Sequence, residues 1–228
     1  MRGALLVLIL WSCRSIDPDL DERTKRELFR MKNVPARVEP VSSAPLPARW
    51  APGQFAVWAI AEKNFTSLLS LQVQDVSFEG AVTVKLVQLS PKLRTTAELK
   101  FSHQPNDLAD ARAALTQIIR VRGDARPFSY VFKKDAPDEM RDAVEPLWSA
   151  LIPAVIPGPS ETVQTPAARL EGCRSAQTDL PYQASGLHVK GWVHPAVPIT
   201  GFVRGKANDG SITVELVEYG WSGGAPNL

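Results

Sequence analysis

Several stretches of this sequence alternate apolar and polar residues with a period of two. Leu69, Leu71 and Val73 alternate with serine and glutamine, and "AVTVKLVQL" and "TAELKF" repeat the pattern. Because successive side chains of a strand point to opposite faces, this period predicts strands with one apolar and one polar face. Gly80 stands between the first two segments and predicts a turn there. Together these segments predict an antiparallel meander.

The same alternation returns in the last third of the chain. "AARLEGCRS", "GLHVKGWVH", "ITGFVRGK" and "ITVELVEYG" are each predicted as a strand, and "QFAVWAIA" at positions 54–61 is another. The last two C-terminal segments are separated by "NDG" at positions 208–210, which predicts a tight hairpin turn.

Two helices are predicted between these groups of strands. The first is "DLADARAALTQIIRV", capped by Asn106 and ended by Gly123. The second is "PDEMRDAVEPLWSALI", in which Pro146 predicts a kink or a break. "PFSYVFK", between the two helices, is predicted as a strand. Residues 50–228 therefore predict a single β-rich α+β domain whose helices cover the apolar face of the sheet.

The N-terminal segment has the composition of an export signal. Arg2 is followed by eight apolar residues from Ala4 to Trp11, which span about 12 Å as a helix, against about 30 Å for a hydrocarbon core. This stretch is too short to cross a bilayer but has the length of a signal-peptide core, so residues 1–12 are predicted as a signal peptide.

Leu10, Trp11, Ser12 and Cys13 end this segment and resemble the bacterial lipoprotein signal, although Trp11 is not usual at its position. The resemblance implies a thioether-linked diacylglycerol on Cys13, cleavage before it and acylation of the new amine. At least two acyl chains give a stable anchor. A secreted protein, a cytosolic protein and a Cys13–Cys173 disulfide are the alternatives. If Cys13 carries lipid, Cys173 has no intramolecular partner and is predicted to be a packing residue.

Residues 13–49 are predicted to connect that anchor to the domain. Asp17 is a good N-cap with Pro18 after it, and acidic residues fill the first turn of a short, highly charged helix. The proline-rich stretch that follows favours an extended tether. We expect the helix to be a stalk or to dock lightly on the domain.

No catalytic, metal or cofactor motif is found. His103, His188 and His194 do not have a recognised metal-ligand spacing, and no carboxylate set completes one. A Cys173–His188 thiol dyad has no nucleophile motif around it. The net charge of +2 is spread along the chain, which disfavours nucleic-acid binding. We expect a protein that is not an enzyme.

The C-terminal region resembles the end of a family of uncharacterised bacterial envelope lipoproteins. A tryptophan strand leads to Val-Pro, then to a Gly-x-Val strand and a final hairpin that ends in an aromatic residue and glycine; "WAPGQF" at 50–55 resembles the opening of the same family. The matching residues are Trp192, Val197, Pro198, Gly201, Val203, Leu216, Tyr219 and Gly220. The region is also distantly similar to the periplasmic lipoprotein-carrier proteins, which implies a curved, half-barrel-like antiparallel sheet packed on two or three helices.

These observations favour two functions. The first is a lipid-anchored protein of the bacterial cell envelope, expected at the outer membrane, that binds a hydrophobic or lipid ligand between sheet and helices. Trp58, Trp148, Leu151 and Trp192 are the candidate cavity residues. The alternative is a structural or assembly subunit of an envelope machine for motility, adhesion or secretion, with protein partners and a closed interior.

Overall fold

A computed structural model of the chain describes most of its 228 residues. The described residues are 15–46, 48–123, 126–133, 136–180, 187–225 and 228. The predicted signal peptide, 1–12, and the predicted lipidation site, Cys13, lie outside the described residues.

In the described part of the chain, thirteen strands form one sheet. Six of them follow one another through the first half of the domain: β2 (Phe55–Ala61), β3 (Thr66–Val76), β4 (Val82–Ser90), β5 (Leu93–Phe101), β6 (Leu115–Arg122) and β7 (Phe128–Val131). The others are β1 (Arg37–Glu39), β8 (Ala154–Val155), β9 (Glu161–Gln164), β10 (Ala168–Leu180), β11 (Leu187–Val193), β12 (Phe202–Ala207) and β13 (Thr213–Gly220).

The sheet is open, curved and mostly antiparallel, which confirms the predicted α+β, half-barrel-like fold. Strands β2 to β7 form one meander and β10 to β13 form a second, and β13 pairs with β2 to join them. β1 adds to β10 as a parallel strand, while β8 and β9 also pair with β10. The two meanders therefore form one continuous β-sheet.

Both predicted hairpin turns are confirmed. Gly80 and Gly210 each have a positive φ, and each donates its N–H to the carbonyl three residues earlier. Gly191 and Gly205 face one another between β11 and β12 and serve a different purpose. A Cβ on Gly191 would clash with the carbonyl oxygen of Arg204, so this close approach of two strands requires glycine.

The first helix, α1 (Pro18–Lys32), begins where the sequence predicts. The Asp17 carboxylate accepts the N–H groups of Asp19 and Leu20 at 3.0 and 3.3 Å. The helix packs against β3, β4 and β13, with Met31 fully buried among their side chains. β1 follows it, so three residues of the segment predicted as a tether pair with the sheet.

The prediction of a helix over "DLADARAALTQIIRV" is wrong in its second half. Helix α2 (Leu108–Ala114) is capped by Asp107 rather than Asn106, and the chain then becomes strand β6 between β5 and β7. The spacing of Leu115, Ile118 and Ile119 is helical, and Leu115 and Ile118 both reach the inner core because the pairing of β5 and β6 shifts register between them. The β-branched residues of this segment favour a strand. Pairing on both sides of β6 decides between the two.

The helix predicted for "PDEMRDAVEPLWSALI" is broken, as Pro146 predicts. α3 (Asp138–Asp142) and α4 (Glu145–Ser149) are separate short helices, with Pro146 in the first turn of α4. None of the helices among the described residues is long and apolar enough to span a membrane.

The two faces of the sheet pack against different helices. We call the inner face the one whose side chains form the larger core cluster with α2 and α4, and the outer face the one on which α1 lies. On β2, for example, Trp58 points to the inner face and Val57 to the outer face. The sheet is therefore a middle layer with helices on both sides.

Candidate functional site

Three of the four predicted cavity residues belong to the core cluster of the inner face. Trp58 from β2, Trp148 from α4 and Leu151 just after α4 are buried in the same core cluster. The Trp58 Nε1 donates to the carbonyl oxygen of Phe202 at 2.9 Å. The Trp148 Nε1 is buried and has no hydrogen-bond acceptor.

Trp192 is placed differently. Val189 and Val193 are buried on one face of β11, so the alternation of the strand places Trp192 on the opposite face. From there it packs against the edge of the cluster, and its buried Nε1 has no acceptor. Trp192 is therefore not brought together with the other three residues.

Polar residues replace apolar ones at one end of the inner face. Ser67 on β3, Gln88 on β4 and Thr95 on β5 continue the alternation of the core residues on those strands, and all three are buried. Gln88 pairs with Leu69 on one side and with Thr95 on the other. We call Ser67, Gln88 and Thr95 the polar row.

Arg120 lies beside the polar row on β6. Arg120 lies two residues after Ile118 of the inner cluster, so both side chains point to the same face of β6. Arg120 pairs with Ala97 of β5 and Phe128 of β7. Its Nε is buried and has no acceptor, and among the described residues no carboxylate lies within ion-pair distance of it. Burial lowers the pKa of its guanidinium.

Unpartnered polar atoms are concentrated on this face. The Ser67 Oγ, Thr95 Oγ1 and Arg120 Nε are buried without a partner, as are the Thr178 Oγ1 of β10 and the Trp148 Nε1. The large majority of buried side-chain polar atoms in folded proteins are hydrogen-bonded, because an unpaired one costs about 1–3 kcal/mol. The inner face thus has hydrogen-bonding capacity that the described residues do not use.

Glu62 follows β2 at the same end of the sheet. Its pKa is raised by burial and lowered to a lesser extent by Lys92, and its Oε1 is buried without a partner. β2 and β6 are four strands apart, which places Glu62 about 19 Å from Arg120 across the sheet. Glu62 therefore does not neutralise Arg120.

Four of the cavities lined by described residues have volumes of about 80, 150, 210 and 450 Å³. Trp58, Trp148, Leu151 and Trp192 line none of these four. The largest is an open cleft beside α2 and α3, where Arg112 bonds to Asp138 and Asp142 and Arg141 stacks on Phe132. These ionic side chains satisfy one another and fix the helices to β6.

The histidines do not form a common site. A ring nitrogen of His103 lies 2.8 Å from the Asp110 carboxylate, and one of His188 lies 2.9 Å from that of Asp179. His194 is buried, and its Nδ1 accepts the N–H of Ala196, so its Nε2 donates to the carbonyl of Glu171. Within the described part of the chain, no group of three metal-ligating side chains comes together.

Cys173 is a core residue, as predicted. It is fully buried, its thiol lies 3.5 Å from the carbonyl of Leu170, and burial raises its pKa to about 11. A thiol with such a pKa has almost no thiolate at neutral pH. His188 bonds to Asp179 instead, so the described contacts form no dyad between the two.

No protein-family model matches this chain, and a comparison with curated proteins finds no match. The predicted membership of an envelope lipoprotein family therefore stays a prediction based on sequence motifs.

Proposed function

We propose that this chain is a non-catalytic, lipid-anchored protein of the bacterial cell envelope that binds a hydrophobic or lipid ligand between the inner face of its sheet and its helices. The observation that carries the proposal is the group of buried, unpartnered polar atoms beside the apolar inner cluster. A ligand with an apolar body and a few polar atoms would contact the cluster and pair these groups.

The first test is native mass spectrometry of the full chain, purified from a bacterial envelope without detergent. We expect a stoichiometric adduct that organic solvent releases as a lipid or another apolar compound. A chain with no adduct that also fails to take one up from added envelope lipids would contradict the proposal.

A matched pair of variants tests whether the ligand lies on the inner face. Leu69→Trp adds volume beside the polar row, whereas Val57→Trp adds it on the outer face of the neighbouring strand. We expect the adduct to be lost in the first and kept in the second. Circular dichroism shows whether each variant has kept its fold, and loss of the adduct in both folded variants would argue against an inner-face site.

The membrane anchor is a separate part of the proposal, supported by the lipoprotein-like sequence at Cys13. We expect Cys13→Ser to move the protein from the membrane fraction to the soluble fraction of the envelope. Cys173→Ala is the control, because that thiol lies in the core. An unchanged membrane fraction for Cys13→Ser would contradict lipid anchoring.

One observation favours the alternative, a subunit of an envelope assembly. β7 is the last strand of the sheet, and its Phe128 and Val131 side chains are 49% and 58% exposed. An exposed apolar edge strand can pair with another chain. A photocrosslinking residue at position 131 would give one discrete protein adduct if β7 is an interface, and none if it is not.

A further inference from the structure

We propose that strand β7 docks an acidic, extended segment of a partner protein, which adds to the sheet as one more strand. This inference rests on the second candidate function, a subunit of an envelope assembly, and specifies the chemistry of the partner. It does not depend on lipid binding at the inner face.

The two edges of the sheet differ in how far the chain itself covers them. At one edge, β8 and β9 pair with the side of β10 that faces away from β11. At the other edge, β7 pairs with β6, and no strand among the described residues pairs with its other side. An uncovered edge strand is a template for pairing with another chain.

The register of β7 on β6 shows which backbone groups of β7 are directed outward. The Phe132 N–H donates to the carbonyl oxygen of Thr116 at 2.8 Å. Because hydrogen-bonded positions alternate along an antiparallel strand, Tyr130 also directs its backbone groups to β6, whereas Ser129 and Val131 direct theirs away from it. These outward N–H and C=O groups are the ones to which an added strand would bond.

Apolar side chains are exposed on both faces of this edge. Phe128 and Val131 are three residues apart, so they lie on opposite faces of β7, and both are exposed. A strand that pairs with β7 would place its own side chains alternately beside each of them. Pro127, which has no N–H to donate, precedes the strand and limits the pairing to the residues after it.

The charge around β7 specifies the partner. From Leu115 to Asp135 the sequence has a net charge of +3, from five cationic side chains and two aspartates, whereas the whole chain has +2. The cationic residues are Arg120, Arg122, Arg126, Lys133 and Lys134, and the aspartates are Asp124 and Asp135. Lysines and arginines occur along the whole chain, but the excess of positive charge lies in β6, β7 and the adjacent residues. An acidic segment complements this charge.

The same charge disfavours a second copy of this chain as the occupant of the edge. Pairing β7 with β7 would bring two basic segments together, and like charges on neighbouring strands are destabilising. Self-association is therefore opposed at the same edge at which an acidic partner is favoured.

The open cleft beside α2 and α3 continues from the end of β7 and provides room for the end of the docked segment. Its volume is about 450 Å³, and Phe132 and Lys133, the two residues after β7, line it. Arg112 in this cleft is bonded to Asp138 and Asp142. Lys133 is exposed, and no carboxylate of the described residues forms an ion pair with it. A carboxylate of the docked segment would pair with Lys133.

The test measures the binding of three labelled peptides to the full chain by fluorescence anisotropy. One peptide alternates glutamate and valine, and the second alternates lysine and valine. The third is the acidic peptide with every backbone nitrogen methylated, which keeps its charge but cannot donate backbone hydrogen bonds. We expect the acidic peptide to bind about tenfold more tightly than either of the other two.

Variants assign the binding to β7. Val131→Pro removes an outward N–H that β6 does not use, so we expect it to weaken binding of the acidic peptide about tenfold, whereas Val131→Thr keeps the N–H and the affinity. Lys133→Gln is expected to weaken binding about threefold. Lys25→Gln, which removes the same charge from α1, is the control and is expected to change nothing. The methylated peptide keeps the test valid if circular dichroism shows that Val131→Pro does not fold.

The outcomes separate this inference from the function on which it rests. Equal binding of the acidic and basic peptides would overturn the acidic partner. Acidic binding that neither methylation nor Val131→Pro weakens, or no binding of any peptide, would overturn strand addition at β7. Dimerisation of the full chain that Val131→Pro removes would assign the edge to a second copy instead. In each case, a discrete photocrosslink to another protein from position 131 would still support the assembly function, and its absence would contradict that function as well.

Discussion

The inner face of the sheet has the larger apolar cluster, and the two faces also differ in how their buried polar groups are paired. On the outer side, the Thr24 Oγ1 of α1 donates to the carbonyl of Leu20, and Arg94 donates to that of Leu228. On the inner face, Thr95 and Arg120 have no such partners. The outer face is a completed interface with α1, whereas the inner face has hydrogen-bonding groups left over for something else.

The largest effect we expect concerns the outer face. Met31→Ala removes a fully buried side chain between α1 and the sheet, so we expect the free energy of unfolding to fall by about 2–5 kcal/mol. Urea unfolding followed by circular dichroism measures it. Phe29→Ala on the exposed side of the same helix is the control and should change stability by less than about 0.5 kcal/mol.

If Met31→Ala also changed stability by less than about 0.5 kcal/mol, α1 would behave as the loosely attached stalk that its charge pattern suggests. The outer face could then not be called a completed interface.

A threonine pair tests the contrast in hydrogen bonding. The Thr165 Oγ1 donates to the carbonyl of Ala168 and accepts its N–H, both at 3.1 Å, whereas the Thr95 Oγ1 has no partner. The two side chains are 3% and 2% exposed. We expect Thr165→Val to lower the free energy of unfolding by about 1–3 kcal/mol, and Thr95→Val in the delipidated protein to leave it unchanged or raise it by up to about 1 kcal/mol.

Urea unfolding of both valine variants measures the difference. An equal loss of stability in the two would mean that the Thr95 hydroxyl is paired in the unliganded protein, and the contrast between the faces would be weakened.

A tryptophan pair tests the same contrast within the inner cluster. Trp58→Phe and Trp148→Phe remove the same atoms, but only the first leaves an acceptor, the carbonyl of Phe202, without its donor. We expect Trp58→Phe to cost about 1–2 kcal/mol more than Trp148→Phe in urea unfolding. A larger cost for Trp148→Phe would indicate that its indole N–H has a partner in solution.

The smallest effect concerns His194, a buried side chain that is paired only in its neutral form. Burial, the largest cause, lowers its pKa despite the acceptor at Glu171. The unfolded chain therefore binds a proton at higher pH than the folded chain does, so stability falls as the pH decreases below about 6.5. One such group changes the free energy of unfolding by at most about 1.4 kcal/mol per pH unit.

We expect His194→Gln to reduce the loss of stability between pH 7 and pH 5, measured by urea unfolding at each pH. An identical pH dependence in both proteins would mean that His194 does not titrate differently on folding.

The sequence predicts the fold well where the determinants are local. The hairpin turns at Gly80 and Gly210, the Asp17 cap and the break near Pro146 depend on residues a few positions apart, and all are confirmed. Strand β6 was missed because its apolar spacing fits a helix as well, and only its pairing with β5 and β7 decides the matter.

The candidate site is only partly predictable. Trp58, Trp148, Leu151 and Trp192 were predicted to lie near a ligand cavity, and that prediction stays a prediction. The first three are buried in the inner cluster, whereas Trp192 lies on the opposite face of its strand, because position 193 rather than 192 continues the buried set of β11. The polar row and Arg120 were not predicted. The sequence does contain a sign of the polar row, because Gln88 and Thr95 interrupt the alternating apolar residues of β4 and β5. The absence of an acceptor for the Arg120 Nε depends on long-range packing and cannot be predicted from the sequence.

Photolabelling is the most direct test of the central claim that the inner face binds the ligand. An oleate analogue with a diazirine in mid-chain is bound to the full protein and activated, and the labelled residues are located by peptide mass spectrometry. We predict labels on inner-face residues of β3 to β5, such as Leu71, Leu86 and Ala97, that excess oleate removes. Labels confined to the outer face around Met31, or to exposed residues such as Phe29, would contradict the account.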